Sequence, residues 1–309
     1  MQNRKTGKSY SVRTLLVIFT LLTALLPATV KKEACTYYLS IGAIFRDEAP
    51  YLKEWIEFHR LVGVEHFYLY NNSSVDGYLS ILSPYIQAGV VDLLDWPSTP
   101  EQYVEEQKLA YRHCIQKREG ETFWLALVDI DEFIVPVDTP SVPSYLAQFD
   151  DEKYLGAVQI NWQLYGTSFL AKLPQDRLMI ESLIWKAPWD YHTKSRPDNT
   201  VFKSIVRPHA VKEYRIHEGA LKEKFYPLPK NKFKLFQQPV QIEHLRINHY
   251  WTRAEDFFYD VKINRRMMFR DDDYLKVILR KLGELNQVED TIMYRFVPEL
   301  KKKMEGSDL

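Results

Sequence analysis

Between residues 37 and 128 the sequence alternates strictly between apolar segments of strand length and amphipathic segments of helix length. This alternation predicts an α/β fold of Rossmann-like type, with a mostly parallel sheet flanked by helices. In such sheets ligands bind beyond the carboxyl ends of the strands, so polar residues that follow the strands should meet in one cleft. The predicted strands are residues 37–45, 65–70, 90–94 and 123–128, and the predicted helices run from Pro50 to Gly63, through Tyr85 to Gly89, and from Glu105 to Arg118.

The pattern loosens after Pro136. The further predicted strands are residues 157–162, 203–207 and 242–250, the further predicted helices are residues 253–268 and 275–285, and residues 179–187 fit either state. No linker marks a second domain. We therefore predict a single domain, residues 36–290, followed by a C-terminal tail, residues 291–309.

The most informative motif is the pair Asp129 and Asp131, directly after the fourth apolar strand. In an extended segment, side chains two residues apart point the same way. Two such carboxylates repel each other unless a cation lies beside them, and hard oxygen ligands favour Mg²⁺ or Mn²⁺. A metal diphosphate often accounts for such a pair, because the metal neutralises charge on the leaving group. Taken alone, the tripeptide favours a plainer alternative, a solvated strand end or a helix-capping pair.

Polar residues also follow the first two strands. Arg46, Asp47 and Glu48 come after the first, and Asn71 and Asn72 come after the second. Arginine suits a phosphate, and the carboxylates and amides suit a nucleotide base or ribose. The alternatives are acidic residues at a helix N-terminus, which the helix dipole favours, and asparagines that serve a turn.

Two histidines are candidates to complete a metal site begun by carboxylates, His249 and His217. Imidazole is a suitable ligand for such a site. A lone histidine is more often a hydrogen-bonded structural residue. The spacing does not choose between the two, since both are distant in sequence from the aspartates.

The amino terminus predicts a membrane anchor. Residues 1–13 form a basic leader, and residues 14–30 carry no charge. That length is at the short end for a membrane-spanning helix, and no clear small-residue cleavage site follows. We favour an uncleaved signal anchor in a single-pass type II orientation, with the basic leader in the cytoplasm. The body would then face a Golgi lumen in a eukaryote or the cell envelope in a bacterium.

Composition argues against one class of partner. Lysine plus arginine and aspartate plus glutamate both total 41, so the formal net charge is zero. A neutral chain has no general attraction for nucleic acid. Cys35 and Cys114 are too few for a disulfide framework or a structural zinc site.

Motifs in both halves of the chain carry a family resemblance. They are residues 44–48, 54–59, 63–74, Trp124 and residues 129–133, and then Trp162 with Gly166, residues 202–208 and residues 247–250. Together they resemble the family-92 glycosyltransferases and the related family-2-like bacterial group, over roughly residues 38–265. The family usually has a glycine- and serine-rich stretch after this tryptophan, where this chain has residues 163–168.

The resemblance implies a GT-A fold, a nucleotide-sugar donor (UDP-galactose in characterised relatives), usually Mn²⁺, and inverting transfer of a hexose to a glycan hydroxyl. By motif, Asp129 would contact the ribose or the metal and Asp131 would bind the metal. His249 would be the later metal or diphosphate contact, with His217 as its rival. The nucleotide pocket would be lined by Arg46, Asp47, Glu48 and Asn72.

The chemistry adds one further expectation. Inverting transfer needs a carboxylate base for the acceptor hydroxyl, and Asp190, beside Trp189, is our candidate. Glu218 is a second candidate. The alternatives are a membrane-tethered glycan- or nucleotide-binding domain without catalysis, and a metal-dependent nucleotidyltransferase, which would release pyrophosphate.

Overall fold

The alternation predicted for residues 37–128 is present in the computed structural model, which describes residues 30–189, 191, 198–230, 240–264 and 272–306. The strands are β1 Tyr37–Phe45, β2 His66–Asn71, β3 Val91–Asp95, β4 Thr122–Leu127, β5 Glu132–Pro136, β6 Leu155–Leu164, β7 Trp185–Lys186, β8 Phe202–Val206, β9 Val211–Tyr214, β10 Gly219–Leu221, β11 Tyr226–Leu228, β12 Leu245–His249 and β13 Val288–Glu289. The helices are α1 Ala49–Leu61, α2 Tyr78–Gln87, α3 Tyr103–Lys117, α4 Val142–Leu146, α5 Met179–Ser182, α6 Glu255–Phe257, α7 Asp272–Glu284 and α8 Val297–Glu305. A π-helical segment, Phe258–Ile263, continues α6.

The main sheet is curled and mostly parallel, as predicted. Its strand order is β3-β2-β1-β4-β8-β6-β12-β5, with β11 also paired to β6. Strands β1 to β4 are mutually parallel where they pair. Strand β8 is antiparallel to both neighbours, and β5 is antiparallel to β12. The carboxyl ends of β1, β2 and β4 therefore lie at one edge of the sheet, where the sequence placed the cleft.

Strand β5 was not predicted. It begins one residue after Asp131 and runs opposite to β4, at the far end of the sheet. Its pairing with β12 places Glu132 opposite His249. Because the chain must reverse between β4 and β5, the segment that joins them is a turn rather than extended strand.

Helix α1 holds β5 in place through two buried side chains. The indole Nε1 of Trp55 donates to the backbone oxygen of Glu132 at 2.9 Å. The ring of His59 lies between Trp55 O, at 2.8 Å from Nδ1, and the amide of Ile134, at 3.2 Å from Nε2. Because the Ile134 amide must donate, Nε2 is the acceptor and Nδ1 carries the proton. Burial lowers the pKa of His59 to about 3, so the ring stays neutral.

Helix α5 is tied to the same helix. Both carboxylate oxygens of Glu54 accept backbone amides, from Met179 and Ile180, each at 2.9 Å. The region predicted as ambiguous, residues 179–187, is thus a short helix followed by the two-residue strand β7.

The C-terminal residues belong to the same core. Val297 and Leu300 of α8 are buried, and Met304 accepts a hydrogen bond from Lys53 Nζ at 2.7 Å. Met293, in the helical turn Ile292–Arg295 that precedes α8, is also part of this core.

The predicted leader and anchor, residues 1–30, lie outside the described residues except for Val30. Across the ranges that the structure does describe, no helix is both long enough and apolar enough to cross a membrane.

Candidate active site

The segment between β4 and β5 forms a tight turn at the carboxyl edge of the sheet. The amide of Glu132 donates to the backbone oxygen of Asp129 at 3.0 Å. The expectation that Asp129 and Asp131 point the same way assumed an extended chain, and the turn does not satisfy it. The two carboxylates instead contact different sets of side chains.

Asp129 faces a buried polar network. Its Oδ1 accepts from Tyr111 OH at 2.7 Å and from Gln107 Nε2 at 2.8 Å. Its Oδ2 lies 3.1 Å from Nζ of Lys203, a lysine in β8 whose side chain has no solvent exposure. Burial is the largest influence on the pKa of Asp129 and would raise it, but the Lys203 ammonium and the Tyr111 hydrogen bond together hold that pKa below its ordinary value.

Glu132 shares the same lysine. It is fully buried, its Oε2 accepts the amide of Asp129 at 2.9 Å, and Lys203 Nζ lies 3.6 Å away. Burial raises the pKa of Glu132 well above its ordinary value, even against the pull of Lys203. The single ammonium of Lys203 therefore lies against both carboxyl groups.

Asp131 faces two cationic or potentially cationic groups. Lys262 Nζ lies 2.8 Å from its Oδ2, and His249 Nε2 lies 3.4 Å from its Oδ1. Burial would raise the pKa of Asp131, but Lys262 and then His249 hold it well below its ordinary value. Burial lowers the pKa of His249, although Asp131 opposes this, so the ring is neutral with a nitrogen available as a ligand.

The structure separates the two candidate histidines. His249 lies against Asp131 because β12 pairs with β5, and its ring centroid is 4.3 Å from that of Trp162. His217 contacts the same Trp162 ring, at 5.1 Å between centroids, and its Nδ1 lies 3.2 Å from the backbone oxygen of Phe202. Burial, followed by the nearby Lys203, lowers the pKa of His217 to about 3.

The residues after β1 and β2 fasten their two loops together. The amide of Asp47 donates to Ser74 Oγ at 3.0 Å, and the amide of Val75 donates to Asp47 Oδ1 at 2.8 Å. Asp47 has a positive φ of 54°, a conformation that needs such support. Arg46 lies beside it, with Nε 3.8 Å from Asp47 Oδ2.

The amide groups after β2 are similarly engaged. Asn71 Nδ2 donates to Tyr78 OH at 2.9 Å and to Asp95 Oδ1 at 3.0 Å. Asn72 Nδ2 donates to Trp96 O at 2.7 Å, while its buried Oδ1 has no hydrogen-bond partner among the described residues. Asn72 therefore fixes the loop after β2 against the segment after β3.

Glu48 contacts an arginine that the sequence did not single out. Arg253 Nη2 lies 2.6 Å from Glu48 Oε2, and the Arg253 side chain is fully buried. The guanidinium stacks 3.6 Å from the ring centroid of Tyr51 and 4.4 Å from that of Phe257. Glu48 thus positions a cation at the cleft rather than presenting a lone carboxylate.

Three basic residues at the site were missed by sequence reasoning: Lys203, Arg253 and Lys262. Lys203 carried a usable signal, because a lysine inside an apolar strand needs a buried partner. The other two lie in segments without a distinctive pattern. The predicted base, Asp190, lies outside the described residues, but the preceding Trp189 has a side chain that is 56% exposed.

A divalent cation would find two protein ligands here, the Asp131 carboxylate and His249 Nε2. Oxygen and imidazole donors suit Mn²⁺, so these two residues fit the metal that the resemblance implies. Asp129 does not join them, since it is held by Lys203. Within the described ranges, no three His, Cys, Asp or Glu side chains are grouped closely enough to form a metal site by themselves.

The sequence profile of glycosyltransferase family 92 matches residues 36–286. A family-92 glycosyltransferase protein of Arabidopsis thaliana is 25% identical over 207 residues, which are 62% of this chain and 33% of the relative. A second, from Oryza sativa subsp. japonica, is 24% identical over 226 residues, which are 72% of this chain and 34% of the relative. The chain thus spans about a third of the length of these relatives.

Among solved structures, TarS of S. aureus superposes with a TM-score of 0.39 at 12% identity, covering 79% of this chain and 42% of TarS. A similarity at this level carries no argument about substrate or mechanism. The family profile is different in kind, because it spans well over half of the sequence and includes the β4–β5 turn and β12. This chain belongs to glycosyltransferase family 92.

Proposed function

We propose that the chain is a glycosyltransferase that moves a hexose from a nucleotide-sugar donor, such as a UDP-sugar, to a glycan hydroxyl with inversion. The single observation that carries this proposal is the convergence of Asp131 and His249, 3.4 Å apart, at the carboxyl edge of the sheet in a family-92 chain. A carboxylate beside an imidazole at this edge is suited to hold the metal of a metal diphosphate.

Asp131 and His249 would hold a divalent cation, Mn²⁺ or Mg²⁺, together with oxygens of the donor. When bound, the cation neutralises charge on the diphosphate leaving group. Asp129 is fixed by Tyr111, Gln107 and Lys203, so its role is to hold the turn and keep Asp131 in place.

The donor's nucleotide would lie over the loops after β1 and β2. The partly exposed Arg46 is the group that these loops offer to a phosphate, while the fully buried Asn72 fixes the loop beneath it. Arg253, held by Glu48 at 2.6 Å, supplies a fixed positive charge near Asp131. Fixed charges of this kind stabilise a developing anion without reorganising during the reaction.

The acceptor would approach past Trp189. The Trp189 backbone oxygen accepts hydrogen bonds from the side-chain amides of Gln163 and Asn199, each at 3.1 Å. The backbone at Trp189 is therefore fixed, while its ring is exposed. An aromatic face of this kind suits the apolar C–H face of a sugar. The general base that takes the proton of the acceptor hydroxyl stays a prediction, with Asp190 as our candidate.

The test is release of nucleoside diphosphate from a panel of nucleotide sugars, with Mn²⁺, Mg²⁺ or EDTA. We expect metal-dependent release from one donor, reduced about a hundredfold or more in Asp131→Asn. Asp198→Asn is the matched control, because Asp198 has the same 8% side-chain exposure as Asp131 and also pairs with a lysine. Equal release by wild type and Asp131→Asn, both folded, would refute the cation site.

A second measurement addresses the alternative of a binding domain without catalysis. If the folded protein binds a nucleotide sugar but releases no diphosphate with any acceptor, the chain is a binding module. Release of pyrophosphate instead would indicate nucleotidyl transfer.

A further inference from the structure

Asp131 already has a cation, the ammonium of Lys262. Lys262 Nζ lies 2.8 Å from Asp131 Oδ2, on the oxygen that His249 does not approach. A divalent ion coordinated by Asp131 and His249 would lie next to this ammonium. Like charges at such a separation disfavour each other, so the lysine and the ion compete for one carboxylate.

The two lysines of the site differ in how easily they can leave. Lys203 is fully buried between Asp129 and Glu132, at 3.1 and 3.6 Å, within the buried strand β8. The Lys262 side chain is 19% exposed and contacts one carboxylate of the turn. Its long flexible stem can withdraw the ammonium into solvent at small cost.

The backbone that carries Lys262 is also unusual. It belongs to the π-helical segment Phe258–Ile263, and π-helical turns are uncommon and often found at functional sites. The ring of Phe257 lies 5.7 Å from Lys262 Nζ. This aromatic face offers the displaced ammonium a second favourable position.

We propose that Lys262 is a tethered counterion of Asp131 that a divalent cation displaces when it binds. This inference rests on the cation site of the proposed function and adds how cation binding at that site is regulated. While Lys262 occupies Asp131, the free protein binds the divalent ion weakly, and the buried carboxylate is never left without a counter-charge. The ion enters by exchange with the lysine.

The test is Mn²⁺ binding to the folded, donor-free chain, measured by the electron paramagnetic resonance signal of free Mn²⁺ and by calorimetry. Lys262→Met removes the competitor, and we expect it to bind Mn²⁺ about tenfold more tightly than wild type. Lys262→Arg keeps the charge and should bind as weakly as wild type. Lys262→Met combined with Asp131→Asn should lose the gain.

Lys281→Met is the matched control for the loss of one positive charge. Its ammonium lies 3.1 Å from Asp198, and the exposures of the two side chains are the same as in the Lys262–Asp131 pair. Lys281→Met should bind Mn²⁺ as wild type does. Equal affinity in Lys262→Met and Lys281→Met, including no measurable binding by either, would overturn the proposal.

Diphosphate release measured on the same samples separates the two hypotheses. If Lys262→Met binds Mn²⁺ more tightly but no donor gives diphosphate release, the proposed transferase activity is refuted and the counterion proposal is supported. Normal metal-dependent release with unchanged Mn²⁺ affinity would keep the transferase and refute the counterion.

Discussion

Lys203 Nζ lies 3.1 Å from Asp129 Oδ2, and its side chain has no contact with solvent. A fully buried ammonium that loses its carboxylate partner cannot be solvated by water instead. Together with Glu132, this pair forms the base of the turn that carries Asp131. The stability of the turn should therefore depend on Lys203 far more than on Lys262.

We predict that Lys203→Met lowers the free energy of unfolding by about 3–5 kcal/mol, because it removes a fully buried ammonium that lies against Asp129 and the fully buried Glu132. Lys262→Met should cost less, since the ammonium that is lost is 19% exposed and His249 remains beside Asp131. Urea denaturation followed by circular dichroism measures both. If the double variant Lys203→Met with Asp129→Asn recovers part of the lost stability, the loss in Lys203→Met is due to the unpaired charge. Equal costs for the two lysine variants would contradict the assignment.

Trp55 is expected to affect catalysis through its bond to β5. Trp55→Phe removes the Nε1 hydrogen bond to Glu132 O and should cost about 1–2 kcal/mol. It should also lower diphosphate release by the folded protein, because the turn loses a support. Phe67→Leu is the control, since this buried ring packs 5.5 Å from Trp55 and makes no side-chain hydrogen bond. A release rate in Trp55→Phe as high as in Phe67→Leu would show that the bond only stabilises the fold.

Glu54 should make stability depend on pH. Burial raises the pKa of Glu54 from 4.5 to about 7, despite the two backbone amides that favour its charged form. The folded state therefore binds a proton more tightly than the unfolded state, and ionisation on raising the pH from about 4.5 to about 7 destabilises the fold.

The stability of wild type relative to Glu54→Gln should accordingly fall by about 3 kcal/mol over that interval and stay level above it. Denaturation of both proteins at pH 4.5, 6 and 8 measures the difference. A difference that does not change with pH would mean that the pKa of Glu54 is the same in the folded and unfolded states.

Trp189 should act on the acceptor and not on the donor. Trp189→Ala should raise the acceptor KM about three- to tenfold through lost stacking, with donor hydrolysis unchanged. Tyr294→Ala, at 41% exposure on the segment before α8, is the control for an exposed ring. Kinetics with varied acceptor at saturating donor measure the effect, and a change in donor KM instead would move Trp189 to the donor side.

The first half of the fold was predictable because its strands and helices have regular hydrophobic periodicity, and their strict alternation favours the parallel sheet that is present. Strand β1 has the predicted bounds, and β2, β3 and β4 differ from prediction by one residue at their ends. Strand β5 was missed because Glu132–Pro136 continues an apolar run without a turn signal, although the turn lies just before it. Its partner, β12, is remote in sequence, so no local pattern specifies the reversal.

The position of the candidate site in the fold was more predictable than the contacts of its side chains. The strand-end rule placed Asp131 at the correct edge, and the residue types suggested His249 and His217 equally. Only the register of β5 against β12, with His249 opposite Glu132, distinguishes them. The side-chain partners of Asp129 and Asp131 depend on lysines from β8 and the π-helical segment, which the spacing of the aspartates does not encode.

The contacts of α1 with β5 bear on the order in which the site can assemble during synthesis. Trp55 and His59 precede β5 in the chain, whereas His249 and Lys262 follow it at a distance. Domains are built from the N-terminus on the ribosome, so the support beneath the turn is available before the groups that give Asp131 its chemistry. The nascent chain can form the contacts between α1 and β5 first, and it can bind a cation only after β12 has emerged.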